Sequence, residues 1–205
     1  MTETHRAPVA GPSLRQATMD DALCLSVLAM QVFLDTYATQ GIRRAIAREV
    51  LAGYSEPVFA RDLADPGTAV WVAEQDGHLI GFVQLRLRAA QADAPAGVQA
   101  ELLHLYVQHR FTGRRVGARL LAQAEQVAAA SGATVLWLTA WVHNLRALRF
   151  YARCGYQDCG LAHSVFEGES HENRVLARSI RAPAPSPASP PAASPPGHAG
   201  LAATT

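Results

Sequence analysis

A short basic segment between two apolar segments has the composition of a phosphate-binding turn. Residues 110–117 read Arg-Phe-Thr-Gly-Arg-Arg-Val-Gly. They follow residues 101–107, whose alternation of Leu and Val with longer groups is typical of a buried strand. They precede residues 116–127, in which apolar side chains recur at helical spacing. This order predicts a strand that turns through glycine into a helix, whose first N–H groups have no partner inside the helix.

The exposed N–H groups of such a turn carry the positive end of the helix dipole, which suits a phosphate group. Arg110, Arg114 and Arg115 add formal positive charge around the turn. Taken alone, the turn supports a second interpretation equally well. In that interpretation Gly113 and Gly117 only shape a tight turn, and the arginines are solvated.

A second strand and helix follow the turn. Residues 134–141 (TVLWLTAW) are rich in β-branched and aromatic side chains, which predicts a strand. Residues 144–156 (NLRALRFYARCGY) then have helical character. Asn144 suits the N-cap of this helix, and Gly155 suits its end.

These two segments resemble the GCN5-related N-acetyltransferase (GNAT) superfamily. Asn144-x-x-Ala-x-x-Phe-Tyr-x-x-x-Gly-Tyr closely matches the second cofactor segment of that family. Leu-Tyr-Val and Thr-Gly-Arg-Arg-Val-Gly-Ala match its pyrophosphate segment less well. There Thr112 stands where Arg or Gln is usual and Arg115 stands at the first glycine, while Gly117 is kept. The resemblance extends over residues 14–180.

The resemblance implies an α/β fold with a mixed, largely antiparallel sheet, a splayed pair of parallel strands and flanking helices. It implies acetyl-CoA as cosubstrate, with the pantetheine arm between the splayed strands and the pyrophosphate on the basic turn. We expect no metal, because the histidines show no ligand spacing. The residues expected to contact the cofactor are Leu105, Tyr106, Val107, Thr112, Gly113, Arg114, Arg115, Val116, Gly117, Ala118, Asn144 and Tyr151.

The implied chemistry is acetyl transfer to a primary amine by direct attack. An alkylamine has a pKa of about 10.4, so a group or a water path must remove a proton at neutral pH. The departing thiolate needs a proton, and the resemblance gives Tyr151 that role. The alternative is that Tyr151 only packs beside Phe150. Asn144 either binds the cofactor arm or only caps its helix.

Glu101 is the candidate base. Alternation along the strand places it on one face with Leu103 and Leu105, and places His104 and Tyr106 on the opposite face unless a bulge intervenes. A carboxylate that is partly buried in the cleft has a raised pKa and can accept a proton directly or through water. The equal alternative is a solvated charge at the strand end. A histidine such as His104 is more often a packed or exposed strand residue than a base.

The acceptor is an amine-bearing small molecule or peptide in this interpretation. Asp35 and Tyr37 end the first predicted helix, which forms one wall of the acceptor site in the family. This layout resembles the polyamine branch related to PaiA proteins. Asp35 together with Glu101 suits a cationic amine, and Glu74 is a further candidate for this role. The alternatives are that Asp35 is a surface charge and Tyr37 packs, and that the acceptor is a protein amine or an amino-acid analogue.

A binding module is the second function class. Its features are Thr112 and Arg115, which depart from the family pattern and are compatible with a catalytically weak acetyl-CoA sensor or interaction module. Tyr151 and the complete segment 144–156 favour the enzyme. The net charge of +1 argues against a nucleic-acid or membrane partner. A homodimer is an expectation from the family alone.

Composition predicts one cytoplasmic domain with a core. We expect a flexible N-terminus over residues 1–12, the acetyltransferase domain over 13–181 and a disordered tail rich in Pro, Ala and Ser over 182–205. The three cysteines lack metal or disulfide spacing and predict reduced, buried thiols.

Two further elements are predicted near the N-terminal half. A helix over residues 20–37 should bury a face formed by Leu23, Val27, Met30 and Leu34. A hairpin should turn at Asp76-Gly77, since Asp-Gly favours a tight turn.

Overall fold

A computed structural model of the chain describes residues 11–166 and 169–180. The predictions for residues 1–10 and for the tail from residue 181 onward lie outside this part. The described part contains five α-helices and seven strands. The helices are α1 (Ala22–Tyr37), α2 (Arg44–Gly53), α3 (Glu56–Ala64), α4 (Val116–Ala130) and α5 (Leu145–Arg153). The strands are β1 (Ser13–Gln16), β2 (Thr68–Gln75), β3 (His78–Arg86), β4 (Gln99–Val107), β5 (Val135–Trp141), β6 (Gln157–Phe166) and β7 (Glu169–Ser179).

The strands form one sheet in the order β1-β2-β3-β4-β5-β7-β6. Only β4 and β5 pair in parallel; the other described pairs are antiparallel. This parallel pair is joined by α4, as a strand–helix–strand crossover requires. The predicted fold class is therefore confirmed.

The predicted hairpin joins β2 and β3. Asp76 and Gly77 have φ values of 51° and 76°. Positive φ at both central residues is the requirement of the tight turn that matches strand twist. This local prediction is confirmed.

Helices cover both faces of the sheet. On one face α4 buries Leu120 and Ala124 against sheet residues such as Leu136. On the other face α1 and the region of α3 bury Leu25 and Phe59 against Val72 and Phe82, among others. The sheet is thus a central layer, and a gap between two of its strands is open to both helical layers.

The parallel pair splays apart. The pairing of β4 with β5 begins at Gln99↔Val135 and ends at Glu101↔Trp137. Beyond it, β4 continues to Val107 and β5 to Trp141 without pairing to each other. The inner edge of β4 therefore presents backbone groups that no neighbouring strand uses, as the sequence interpretation expected.

A β-bulge at Leu103 corrects the predicted faces of β4. Gln84 pairs with His104, but the next residue, Leu85, pairs with Leu102. The extra residue reverses the alternation, since two residues of β4 oppose one of β3. Glu101 therefore shares a face with His104 and Tyr106, the face that α1 covers, and not with Leu105.

The predicted apolar face of α1 was wrong at Leu23 and Val27, whereas Met30 packs against the core as expected. Leu23 and Val27 are 56% and 60% exposed, whereas Leu25 and Leu28 are buried. Apolar residues lie on both sides of this helix, so periodicity alone cannot select the buried one. Cys24 is also exposed, which corrects its expected burial; all three cysteines are free thiols.

Charged side chains link neighbouring elements at two places. At the β1 edge of the sheet, Arg15 bonds both Asp21, at 2.7 Å, and Glu74, at 2.8 Å. On the α4 face, Glu125 of α4 accepts from Arg178 of β7 at 2.9 Å and from Tyr156 at 3.2 Å. Glu74 is thereby committed to β1 and does not reach the cleft, contrary to its suggested role in holding an amine.

Candidate active site

A cleft of about 440 Å³ lies where β4 and β5 separate. Its walls come from the end of α1, from β4, from the turn before α4 and from α5. The volume is within the range of ligand pockets. Because the sheet is open here, the α1 layer and the α4–α5 layer both contribute side chains to the cleft.

The basic turn places a helix terminus in this cleft. Arg115 precedes the first residue of α4 with a left-handed φ of 63°, and Gly113 has a φ of 78°. Val116, Gly117 and Ala118 follow and line the cleft. The N–H groups of a first helical turn have no intrahelical acceptor and favour an anion. The turn is therefore built as predicted.

Gly117 keeps the terminus open. A Cβ atom at this position would stand 3.8 Å from the Phe150 ring and 3.8 Å from Val107 Cγ2. These are ordinary contact distances, so the fold does not require glycine here on steric grounds. The missing side chain instead leaves space in the cleft between α4 and α5.

Helix α5 forms the opposite wall. The Asn144 side chain accepts a hydrogen bond from the Ala147 N–H at 3.1 Å, so it caps the helix. Asn144 also lines the cleft, so both of its expected roles remain compatible with its position. Gly155 has a φ of 85° just after the helix, as expected for a glycine that ends it.

Tyrosine side chains from three elements converge in the cleft. Tyr37 of α1, Tyr106 of β4 and Tyr151 of α5 all line it. Tyr151 is 7% exposed and packs edge-on against Phe150 with 5.1 Å between the ring centroids. Burial raises the pKa of the Tyr151 hydroxyl, and the nearby Tyr37 raises it further. Tyr151 therefore stays protonated at neutral pH and is suited to donate a proton or a hydrogen bond.

A hydrogen bond to a neighbouring tyrosine holds the Tyr106 hydroxyl in place. It lies 3.0 Å from the hydroxyl of Tyr54, in a hydrogen bond that either can donate. Burial raises the pKa of Tyr54 to about 12 and that of Tyr106 well above its ordinary value. The pair is neutral and holds the Tyr106 ring in one position.

The carboxylate of Glu101 lies at the point where the strands part. It accepts a hydrogen bond from Arg86 Nη1 at 3.0 Å, and its side chain is 16% exposed. Burial raises the pKa of Glu101, while the charge of Arg86 acts in the opposite direction. Burial also lowers the pKa of His104 to about 4, so that imidazole is neutral at neutral pH.

The end of α1 forms the wall of the cleft away from α4. Asp35 and Tyr37 both line it. The Tyr37 ring packs against Trp141 of β5 with 5.7 Å between centroids, so the helix reaches across the splayed strands. Burial raises the pKa of Tyr37, and the neighbouring Asn144 side chain partly offsets this.

The structure brings most of the predicted site residues together. The expected residues that line the cleft are Asp35, Tyr37, Leu105, Tyr106, Val107, Thr112, Gly113, Arg115, Val116, Gly117, Ala118, Asn144 and Tyr151. Arg114 is outside the lining, with its guanidinium 5.5 Å from the Phe111 ring centroid. Glu101 is also outside the lining.

Sequence reasoning missed two cationic residues of the cleft. Arg146 and Arg153 of α5 line it, on the side of the helix that presents Phe150. Their spacing from Phe150, four residues before and three after, places them on one helical face. This spacing is visible in the sequence of residues 144–156, the segment that the family resemblance assigns to cofactor binding.

The fold and this cleft define an acetyltransferase-type α/β protein. Residues 36–156 match the family model described as Acetyltransferase (GNAT) family. The chain belongs to this family, and it is an acetyl-CoA-dependent N-acetyltransferase.

Related sequences agree with this assignment, and a solved structure agrees with the fold. An uncharacterised N-acetyltransferase of Mycobacterium bovis is 32% identical over 155 residues, which cover 76% of this chain and 94% of the relative. The aminoalkylphosphonate N-acetyltransferase of Salmonella typhimurium is 27% identical over 144 residues, which cover 70% and 84%. The crystal structure of a PaiA N-acetyltransferase from Thermoplasma acidophilum in complex with coenzyme A superposes with a TM-score of 0.64 at 21% identity, covering 83% of this chain and all of that one.

Within residues 11–166 and 169–180, no group of three or more His, Cys, Asp or Glu side chains is arranged to hold a metal ion. Among the helices of the same residues, none combines the length and apolar character needed to cross a membrane.

Proposed function

We propose that this chain acetylates a primary amine by direct attack of the amine on acetyl-CoA in a ternary complex. The observation that carries this proposal is the cleft at the splayed strands. It combines an open helix terminus, a buried protonated tyrosine and an acidic side chain at its far wall. When bound, acetyl-CoA would supply the activated acetyl group.

The residues of the cleft fit this cosubstrate. The N–H groups of Val116, Gly117 and Ala118 suit the pyrophosphate, and Arg115 adds a charge-assisted contact where the family pattern has glycine. The unpaired inner edge of β4 at residues 105–107 suits the amides of the pantetheine arm. Thr112, Gly113 and Asn144 complete the binding wall.

Tyr151 is the proposed general acid. Its hydroxyl belongs to a buried side chain that lines the cleft, and its raised pKa keeps the proton available. The thiolate that departs from the thioester takes up this proton or a hydrogen bond from it. Tyrosine is an appropriate donor because the group remains neutral until charge develops.

Glu101 is the proposed base, acting through an intervening path. The bulge at Leu103 turns it toward the α1 face, on which Tyr106 also lies. Because Glu101 is outside the cleft lining, it would accept the amine proton through water. The positive charge of Arg86 lowers the pKa of Glu101 and so partly offsets burial, which favours the neutral carboxyl group.

The proposed acceptor is a cationic small amine such as a polyamine. Asp35 is the acidic side chain in the described lining, and Tyr37 beside it offers an aromatic face. A carboxylate and an aromatic ring both favour an ammonium group that is not the reacting one. The aminoalkylphosphonate relative directs attention to a second acceptor class, small amines with an anionic group.

The experiment is an acceptor panel. Release of the coenzyme A thiol is measured with a polyamine, an aminoalkylphosphonate, an amino acid and a lysine peptide. We expect the polyamine to be fastest, and Asp35→Asn to raise its KM about tenfold with kcat nearly unchanged. Asp76→Asn in the β2–β3 turn is the control. If the aminoalkylphosphonate is turned over faster than the polyamine, the polyamine assignment is contradicted and the second acceptor class is supported.

The remaining parts of the proposal concern the whole chain. We place the catalytic domain at residues 13–181 with a cytoplasmic location, and we infer a homodimer as its assembly. A chain that binds acetyl-CoA but turns over no amine in the panel would support the sensor function instead.

A further inference from the structure

Tyr106 lies in the cleft, but the proposed mechanism gives its hydroxyl group no role. The residue lines the cleft with Asp35 and Tyr37 of α1 and with Tyr151 of α5. Burial is the main cause of the raised pKa of Tyr106, and the phenol groups of Tyr37 and Tyr151 contribute smaller increases. The Tyr106 hydroxyl is therefore within electrostatic range of Tyr37 on the acceptor side and of Tyr151, the proposed acid.

Tyr54 is the hydrogen-bond partner of this hydroxyl and is itself held firmly. The two hydroxyl oxygens are 3.0 Å apart, and either group can donate. The backbone oxygen of Tyr54 accepts a 2.6 Å hydrogen bond from the buried Ser26 hydroxyl of α1. The Tyr54 ring packs against Phe33 and His104, with 5.3 and 5.5 Å between the ring centroids. Tyr54 is outside the described lining of the cleft, so it acts on a ligand there only through Tyr106.

The two hydroxyl groups share one hydrogen bond and have two protons between them. Within the described residues, neither hydroxyl has a second hydrogen-bond partner in the protein. When Tyr106 donates to Tyr54, the remaining lone pair of the Tyr106 oxygen is free to accept a bond. Burial and the charge of the exposed Glu49 both raise the pKa of Tyr54. A nearby carboxylate attracts the Tyr54 proton away from the shared bond, which favours Tyr106 as the donor.

From this arrangement we propose that the Tyr106 oxygen accepts a hydrogen bond from the attacking amine, and that Tyr54 positions it by accepting the Tyr106 proton in a hydrogen bond. The inference rests on the proposed acetylation of an amine. A neutral primary amine directs its lone pair at the thioester carbon, so its N–H groups are left to donate. Tyr106 takes up no proton in this role; the amine proton passes to the base.

The bond to Tyr106 strengthens as the reaction proceeds. The amine nitrogen gains positive charge while it attacks, and a charged N–H group is a stronger donor than a neutral one. An interaction that is stronger in the transition state than in the bound state raises kcat more than it lowers KM. Loss of the Tyr106 hydroxyl should therefore appear mainly in kcat.

The test is steady-state kinetics of the full chain with the fastest acceptor of the panel, together with calorimetric titration with acetyl-CoA. We expect Tyr106→Phe to lower kcat at least about tenfold, the value of one charge-assisted hydrogen bond, with acetyl-CoA affinity within about twofold. Tyr54→Phe should lower kcat by about threefold. The double variant should be no slower than Tyr106→Phe, because Tyr54 acts through Tyr106. Tyr156→Phe, which loses a hydroxyl bonded to Glu125, is the control and should retain kcat.

Replacement of Tyr106 by 3-fluorotyrosine distinguishes an accepting hydroxyl from a donating one. Fluorine withdraws electron density from the ring, which makes the hydroxyl a weaker acceptor and a stronger donor. We expect kcat to fall below the wild-type value. An equal or higher kcat would overturn the proposal, and a higher one would indicate that Tyr106 donates to the thioester oxygen.

Three further results would overturn the proposal. They are wild-type kcat in Tyr106→Phe, single-variant losses that multiply in the double variant, and losses accompanied by equally weakened acetyl-CoA binding, which would indicate a structural role. If the wild type acetylates no amine, the proposed function is contradicted as well. If it acetylates amines and Tyr106→Phe does so equally fast, only the role of Tyr106 is contradicted. Thermal unfolding shows whether each variant is folded, and the fluorotyrosine result decides if Tyr106→Phe is not.

Discussion

Burial shifts the pKa values of side chains in and near this cleft more than neighbouring charges do. The Tyr151 and Tyr106 hydroxyls have raised pKa values because burial disfavours the phenolate. The same effect keeps His104 neutral. Glu101 differs, because Arg86 opposes the effect of burial on its carboxyl group. The site therefore combines a tyrosine that is protonated at neutral pH with a carboxyl group whose pKa is raised by burial and lowered by Arg86.

Replacement of Tyr151 by Phe tests the donor. We expect kcat to fall about 100-fold, the usual contribution of a general acid, with acetyl-CoA affinity nearly unchanged. Steady-state kinetics and calorimetry measure the two quantities. Tyr156→Phe is the control, because its hydroxyl bonds Glu125 outside the cleft. Unaltered turnover in Tyr151→Phe would remove this residue as the acid.

Replacement of Arg86 by Gln tests whether Glu101 is the base while leaving the Glu101 carboxyl group in place. Arg86 lowers the pKa of Glu101, so its loss should raise that pKa further. If Glu101 accepts the proton, the acidic limb of the kcat/KM profile moves to higher pH in Arg86→Gln and disappears in Glu101→Gln. An acidic limb that stays in place in both variants would exclude Glu101.

The elements around the cleft differ in how far the sequence predicts them. Helix α5 was predicted with both ends because Asn144 and Gly155 determine them through local contacts. The bulge at Leu103 depends on how β4 pairs with β3, so no local pattern reveals it. This pairing decides the face of Glu101. Likewise, the buried side of α1 is selected by the sheet beneath it and not by its own periodicity.

Gly117→Ala tests the helix terminus as an element. The added methyl group meets Phe150 and Val107 only at ordinary contact distances, so folding is expected to be unchanged or slightly stabilised, by up to about 1 kcal/mol. Because the methyl group fills space in the cleft, we expect acetyl-CoA affinity to fall at least about tenfold. Thermal unfolding and calorimetry measure both effects. Unchanged affinity would mean that the cofactor does not approach this turn closely.

The edge of the sheet gives a pH-dependent prediction. The Arg15 guanidinium lowers the pKa of Asp21 to about 2 from an ordinary value of 3.8. The folded pKa is below the unfolded one, so the stabilisation is present above about pH 4 and is lost as pH falls toward 2. Asp21→Asn should therefore cost about 2 kcal/mol at pH 7 and much less near pH 2. Urea unfolding at several pH values measures this, with exposed Asp20→Asn as the control; equal losses at both pH values would contradict the linkage.

In the whole molecule the sheet separates two layers of helices, and each layer forms one side of the cleft. The α1 layer carries Asp35 and Tyr37, while the α4–α5 layer carries the helix terminus and the arginines. In the proposed function, an acceptor on the α1 side and acetyl-CoA on the α4–α5 side would meet near Tyr106 and Tyr151, which both line the cleft. On the α4–α5 side, most of the residues that the sequence motifs selected line the cleft. The acceptor side depends on packing between distant elements and was predicted only in outline.

Truncation after Arg181 tests the domain boundary. The last strand ends at Ser179, and its neighbour Ile180 is already buried against the core. We expect the truncated chain to keep its unfolding temperature and its acetyl-CoA affinity. A lower unfolding temperature would show that residues beyond this point contribute to the fold.

Calorimetric titration of the full chain with acetyl-CoA tests the central claim most directly. The splayed strands, the α4 terminus and Tyr151 together predict one saturable site per chain, with affinity reduced in Gly117→Ala and retained in Tyr151→Phe. Absence of saturable binding by the folded wild-type protein would contradict the account at its base, because every proposed role in the cleft depends on that site.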